Sequence, residues 1–215
     1  MTQDITQDKQ YIDLAKEYKF LRRALGESID TLDYIILDIE TTGLEPTQDE
    51  ITEIGALKTK GKELQTIFSE LIKPKGIISP KITELTGIDS EMVKDAPPAQ
   101  DVLPRFVEFI GDAVLIAHNA EFDLGFIKHH LKKLNNMEIS NSIACTVRIG
   151  RYLLPDLPNH KLHTIAAHFG FKVENRHRAI GDAELTFQVW DKFIDMLKEK
   201  GIITKRDLDA LVSRL

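Results

Sequence analysis

Tyr34-Ile35-Ile36-Leu37-Asp38-Ile39-Glu40-Thr41-Thr42-Gly43 is the stretch on which the reading of this chain turns. A short apolar run that stops abruptly at polar residues and a glycine reads as a buried strand meeting a turn. Residues two apart on a strand point to the same side. Asp38 and Glu40 therefore present two carboxylates together at the strand end, while Ile39 points into the core on the other side. Two adjacent carboxylates repel each other unless a cation neutralises them, and oxygen ligands of this kind suit magnesium or manganese. Taken alone, an Asp-x-Glu pair is more often an ordinary acidic strand end.

Working outward, Ile51 to Lys60 and Leu64 to Lys73 read as two further strands, with Gly61 between them marking a hairpin. Ser79 is placed to cap a short helix with Pro80 at its first position; that helix includes Ile82 and Leu85 and stops near Gly87. Val102 to Ile110 has helical spacing, with Pro104 tolerable only in a first turn. Val114 to Ala117 is another buried strand, followed by a helix with Phe122, Phe126, Ile127 and Leu131 on one face. Ala144 to Leu154 and Leu162 to Phe169 read as helices, and Gly170 fits a helix end. A long helix is expected from about Ala179 to Lys198, stopped by Gly201, and a last short one over Asp207 to Val212. Paired strands followed by alternating strand and helix imply an α/β fold, a mixed sheet flanked by helices.

Composition bounds the rest. With 215 residues, 42% of them hydrophobic, the chain builds one ordinary domain with a sizeable core. Residues 1–32 read as an N-terminal helical extension, with Tyr11, Leu14, Ala15, Tyr18, Leu21 and Leu25 at helical spacing. Ser28 to Asp33 is a mostly polar connector. Residues 33–199 form the main domain and 200–215 a short C-terminal helical segment. No apolar run approaches the roughly 20 residues that span a bilayer, the N-terminus lacks a signal-peptide pattern, and the single cysteine, Cys145, has no intrachain disulfide partner. A cytoplasmic protein with no membrane partner is expected. The net charge of -6 argues against broad coating of nucleic acid, although bound divalent cations reverse the local sign where a phosphate sits.

Two further stretches carry chemistry. His118-Asn119-Ala120-Glu121-Phe122-Asp123 follows a buried strand directly, which puts Asp123 in the first turns of the next helix. Asn119 could equally cap that helix, and Asp123 could simply favour its dipole. His177-Arg178-Ala179-Ile180-Gly181-Asp182-Ala183 places Asp182 near the start of the long C-terminal helix and His177 just before it. Gly181 and Ala183 flank Asp182 with small side chains, which allows that helix to approach a crowded site. Each stretch is ambiguous in isolation.

Taken jointly, the order, context and internal spacing of the three stretches resemble the histidine-containing branch of the DEDD 3′→5′ exonucleases. The family most resembled is the epsilon-type proofreading exonuclease of bacterial DNA polymerase III. The resemblance covers roughly residues 33 to 199. Asp38 and Glu40 match the first motif, Asp123 the second, and His177 with Asp182 the third, His-x-x-x-x-Asp. The sister branch carries a tyrosine one position closer to that last aspartate, where this chain has Arg178. Leu85-Thr86-Gly87-Ile88 and Leu162-His163-Thr164-Ile165-Ala166 also look like the family.

The resemblance implies an RNase H-like fold and a site in which Asp38, Glu40, Asp123 and Asp182 hold two divalent ions, Mg2+ or Mn2+. Asp38 would bridge them, Glu40 and Asp182 complete one shell, and Asp123 meet the other ion through water. His177 is implied as general base, since an imidazole titrates near pH ~6.5; His118 is the rival base, with a positioning role favoured for it. Thr41, Thr42 and Gly43 would surround the last nucleotide, Glu40 accept from its 3′-hydroxyl, and Leu44 and Phe122 pack against terminal bases, with His118 and Asn119 lining the same substrate site. Arg148, Arg151 and Lys161 either steer the backbone or form a solvated face. The implied activity is hydrolysis of single-stranded DNA from its 3′ end to nucleoside 5′-monophosphates, in proofreading or repair. An RNA-trimming exoribonuclease or oligoribonuclease is the alternative, and a non-catalytic nucleic-acid-binding module is the alternative of another class. Little chain follows the final helix, so a DNA polymerase partner is less expected than for a proofreading subunit. If His177 is the base, His177→Ala lowers the turnover number much more than substrate affinity, as read from steady-state kinetics.

Overall fold

β1 (Asp33–Thr41) is the middle strand of a five-stranded sheet in a computed structural model. The structure describes residues 26–135, 137–172 and 178–215, with no side-chain description for Asn135. The helix expected over Tyr11 to Leu25 and the base candidate His177 lie outside the described residues. β2 (Ile51–Lys60) and β3 (Glu63–Leu71) form the expected hairpin, and β2 pairs antiparallel with β1. β4 (Val114–Ala117) lies parallel on the other side of β1, and β5 (Ile143–Cys145) parallel beyond it. The strand order is β3-β2-β1-β4-β5. The mixed sheet flanked by helices is the RNase H-like arrangement the resemblance implied.

Alternation along β1 decides which helices cover which face. Tyr34 and Ile36 join Leu57, Val114 and Ile116 in one core cluster. That cluster is closed by α4 (Thr146–Leu153), α5 (Leu162–His168), α6 (Ala179–Glu199) and α7 (Lys205–Val212). Trp190 of α6 meets Tyr34 edge to face at 5.4 Å, a favoured aromatic geometry. Ile35, Leu37 and Ile39 join the opposite cluster under α2 (Ala99–Ile110) and α3 (Ala120–Asn135). Asp38 and Glu40 continue the row of Tyr34 and Ile36, so their side chains lie on the α6 face.

The short helix α1 (Pro80–Thr86) is capped as expected: the Ser79 hydroxyl accepts the N–H of Ile82, and Gly87 closes the helix in the left-handed conformation. Two expectations are corrected. Ile143–Cys145 forms a strand before α4, where a continuous helix from Ala144 was expected; a half-buried Ile143 followed by buried Ala144 and Cys145 fits an edge strand of the sheet as readily as a helix turn. α2 begins at Ala99, so Pro104 sits in its second turn and removes one hydrogen bond there. The connector before β1 is also less polar in role than in composition. Ile29 and Leu32 are buried in the α6 core, Ile29 donates its N–H to the Ile203 carbonyl at 3.0 Å, and Tyr34 donates its hydroxyl to the Ile29 carbonyl at 2.7 Å.

Gly61 turns the β2–β3 hairpin at φ 55°, and a Cβ there would run into the backbone carbonyl of Asp30. Left-handed strain and the clash act together, so Gly61→Ala is expected to destabilise the fold by about 1–3 kcal/mol, read as a lower urea midpoint at unchanged slope.

Candidate active site

β1 outruns its parallel neighbour. The last β1–β4 pair is Leu37 with Ala117, so the backbone N–H of Ile39 needs a partner from elsewhere. Asp123 supplies it: its carboxylate accepts that N–H at 3.2 Å, from the first turns of α3. This bond seats Asp123, only 2% exposed, beside the end of β1. From the opposite face, α6 brings in Asp182 in its first turn. Carboxylate oxygens of Asp38, Glu40 and Asp182 all lie within 4.8 Å of one another. Three sequence stretches separated by dozens of residues thus converge at one end of the central strand.

Such a cluster is electrostatically unfavourable on its own. Burial, reinforced by Asp123, Glu40, Asp182 and Glu53, holds the Asp38 carboxyl well above the usual carboxylate range. Burial, with Asp182, Glu53 and Asp123, pushes Glu40 up to about 8, against a smaller lowering by Arg178. Asp123 is pushed up to about 7, chiefly by burial, while N–H donors from its own backbone and Ile39 pull the other way. Hard oxygen donors that resist ionising together are the donor set a divalent cation satisfies. Asp38, Glu40 and Asp182 fit one ion as direct ligands, and Asp123 stands beside them.

The loop after β1 is locked in place. Thr41 donates its hydroxyl to the Gly43 carbonyl at 2.5 Å. Thr42 donates to Asp49 at 3.3 Å and accepts the Glu50 N–H at 3.0 Å, and the second Asp49 oxygen accepts the Glu45 N–H at 2.9 Å. A Cβ on Gly43 would collide with the Asp49 carboxylate, so the loop can close this way only with glycine there. Leu44 stands out at 76% exposure from this fixed loop. Asp49 escaped the sequence reading because it lies in a polar, non-periodic run, Thr47-Gln48-Asp49-Glu50.

On the far side, His118 follows β4 and shares a hydrogen bond of 2.9 Å between Nδ1 and the Thr146 hydroxyl, which in turn donates to the Ala117 carbonyl at 3.4 Å. Burial, helped by nearby His163, lowers the His118 imidazole to about 4. It is therefore neutral at pH 7 and anchored through Thr146, a residue the sequence reading did not single out. Asn119 adopts φ 65°, and its carbonyl accepts the Phe122 N–H as α3 begins. Phe122 is half-buried and packs on Phe126 at 5.1 Å between centroids. Arg148 pairs with Glu121 across α4 and α3. Arg151 and Lys161 are exposed.

Comparisons with known proteins point to one family. The family model described as Exonuclease (RNase_T) matches residues 35–190. The PolC-type DNA polymerase III of Caldanaerobacter subterraneus subsp. tengcongensis is 44% identical over 189 residues, 87% of this chain and 13% of that protein. The PolC-type enzyme of Bacillus subtilis is 42% identical over 170 residues, 79% of this chain and 12% of that protein. The chain therefore spans only 12–13% of the length of these curated relatives. Among solved structures, exonuclease X in complex with 5′ overhanging duplex DNA is 26% identical, with a TM-score of 0.61 over 78% of this chain and 93% of that one. E. coli exonuclease I in complex with a dT13 oligonucleotide shares the fold at 17% identity, with a TM-score of 0.69 over 78% of this chain and 42% of that one.

The raised carboxyl groups set a pH dependence. A carboxyl whose folded pKa exceeds its unfolded value binds its proton more tightly when folded, so stability falls as pH rises from the unfolded value through the folded one. With Glu40 near 8 and Asp123 near 7, the protein in chelator is expected to melt higher at pH 5.5 than at pH 8. Asp38→Asn is expected to abolish hydrolysis, raise the pH 8 melting temperature by about 2–4 °C per kcal/mol of repulsion relieved, and flatten that slope.

Proposed function

The chain belongs to the exonuclease family whose model it matches, and on that premise we propose that it removes nucleotides one at a time from the 3′ end of single-stranded DNA. The observation that carries this reading is the meeting of Asp38, Glu40 and Asp182 within 4.8 Å, with Asp123 beside them. The catalytic groups all lie within residues 33–199, with 1–32 as an extension and 200–215 as a C-terminal segment; Ile29 and Leu32 of the first and Leu208 and Leu211 of the second complete the same core.

Asp38, Glu40 and Asp182 would hold magnesium or manganese, with Asp123 serving a second ion. Such cations supply positive charge against the scissile phosphate and acidify adjacent water. The chain's own groups do the rest. His177 accepts the proton of the attacking water at its imidazole as the new oxygen–phosphorus bond forms. The bond from phosphorus to the 3′-oxygen of the penultimate nucleotide breaks, and that oxygen takes a proton from solvent. A nucleoside 5′-monophosphate leaves, and the shortened strand keeps a 3′-hydroxyl.

Polarity comes from how the last nucleotide is held. Thr41, Thr42 and Gly43 offer a rigid loop to its sugar, and Glu40 accepts from its 3′-hydroxyl. Leu44 projects from the loop and Phe122 faces the same end of the sheet, so both can pack on base faces, a contact indifferent to sequence. His118, neutral and tied to Thr146, donates or accepts without changing charge, which suits positioning beside Asn119 better than proton transfer. Likeness to PolC-type polymerases favours work alongside a DNA polymerase, in proofreading or repair. Among the described residues no helix is long and apolar enough to cross a membrane.

The test is digestion of a single-stranded DNA labelled at its 3′ end, beside RNA of equal sequence, with Mg2+, Mn2+ or chelator. Labelled mononucleotide should appear first, from DNA faster than from RNA, and only with metal. Internal fragments appearing first would make the enzyme an endonuclease, and faster loss of RNA would reassign it to RNA trimming.

A further inference from the structure

β2 carries an acid that no motif includes. In the β1–β2 ladder Gly55 stands opposite Asp38 and Glu53 opposite Glu40, so both β2 residues share the α6 face with the two carboxylates. A Cβ on Gly55 would collide with the backbone of Ala179 and Ile180. The first turn of α6 is thus seated directly on the β2 main chain, and only glycine permits it. Two positions away, Glu53 is 1% exposed and makes three hydrogen bonds to the same turn. Its Oε2 accepts the Ala179 N–H at 3.0 Å and the Arg178 Nε–H at 3.1 Å, and its Oε1 accepts Arg178 Nη2 at 2.7 Å.

A helix begins with N–H groups that lack partners, and a side chain at the N-cap usually supplies one. Arg178, the N-cap of α6, makes no such bond. The cap comes from the sheet instead. A carboxylate there also favours the positive end of the helix dipole, and the forked guanidinium fixes its orientation from two sides. One turn on, the Asp182 N–H bonds the Arg178 carbonyl at 3.0 Å. The path from the β1 carboxylates to Asp182 runs through two strand pairs, one buried carboxylate and one helical turn, each with little freedom.

We propose that Glu53 is a positioning residue for the exonuclease reaction. Through Arg178 and the Ala179 N–H it fixes Asp182 against Asp38 and Glu40, and holds the chain immediately after His177. The inference rests on the exonuclease reading. An ion pair between a buried carboxylate and a half-exposed guanidinium adds little net stability; what this one adds is a single seating for α6. Groups that orient metal ligands from behind typically matter about 10- to 100-fold in activity or metal affinity.

The test compares wild type with Glu53→Gln, Arg178→Met and the double variant. It measures kcat and KM on single-stranded DNA with saturating Mg2+, Mn2+ affinity by calorimetry, and melting temperature. Each single variant is expected to lose about tenfold or more in kcat and in Mn2+ affinity, with KM little changed. The double variant should be no worse than the poorer single one, because both act through one anchor. Arg178 is 40% exposed at its side chain, so Arg178→Met carries the comparison if Glu53→Gln does not fold. Wild-type kcat and Mn2+ affinity in the single variants, or losses that multiply in the double, would overturn the proposal. A wild-type protein that neither cuts DNA nor binds Mn2+ would instead remove the exonuclease reading beneath it.

Discussion

Mutual repulsion among carboxylates at the end of one strand is the constraint around which this molecule is arranged. Asp38 and Glu40 share a face because strand side chains alternate, and α6 delivers Asp182 to that same face. Asp123 arrives from the other side because the β1–β4 pairing runs out after Leu37 and leaves the Ile39 N–H to be met. Each acid is carried by a strand or a helix turn, so the backbone itself brings the carboxylates together. The charge can be relieved only by protons or by cations. That makes the site a poor surface in isolation and a good one for a cation-bridged phosphate.

The same end of the sheet is stiffened by groups outside the carboxylate cluster. Asp49 gathers Thr42 and Glu45 and leaves room only for glycine at position 43, so the loop after β1 presents Leu44 from a fixed base. Thr146 holds His118 from below, and burial keeps that imidazole neutral. Glu53 seats α6. Thr146 and Glu53 join elements far apart in the chain, while Asp49 ties one loop to itself, and each contact removes freedom from a group proposed to meet the substrate or a cation. Catalysis by positioning and electrostatics needs that rigidity more than it needs extra affinity.

Core packing makes the arrangement affordable. The α6 face is closed by Trp190, Phe193, Ile194 and Leu197, together with Ile29 and Leu32 from the segment before β1. The opposite face is closed by Phe106, Phe126, Ile127 and Leu131. With Tyr34 to Leu37 buried on both faces of β1, its polar end can carry unfavourable charge without the strand leaving the sheet.

Much of this was legible in the amino-acid sequence, for local reasons. Short apolar runs broken off by polar residues located β1 and β4, because a strand buried on both faces needs apolar residues in succession. Gly61 at its turn and Gly201 helped bound β2 and the long α6. Ser79, Pro80 and Gly87 bounded α1 through backbone chemistry that needs no neighbours. The spacing of Asp38, Glu40, Asp123 and Asp182 carried the metal-binding reading. Tertiary structure alone decided that Ile143–Cys145 is a strand, since three apolar residues have no period of their own and take the form their neighbour β4 offers. It alone decided the parts played by Asp49, Glu53 and Thr146. Glu53 and Thr146 meet partners 28 to 126 residues away along the chain, and a hydrogen bond between distant residues leaves no pattern in the sequence that makes it; Asp49 bonds within its own loop, in a polar run with no period to mark it.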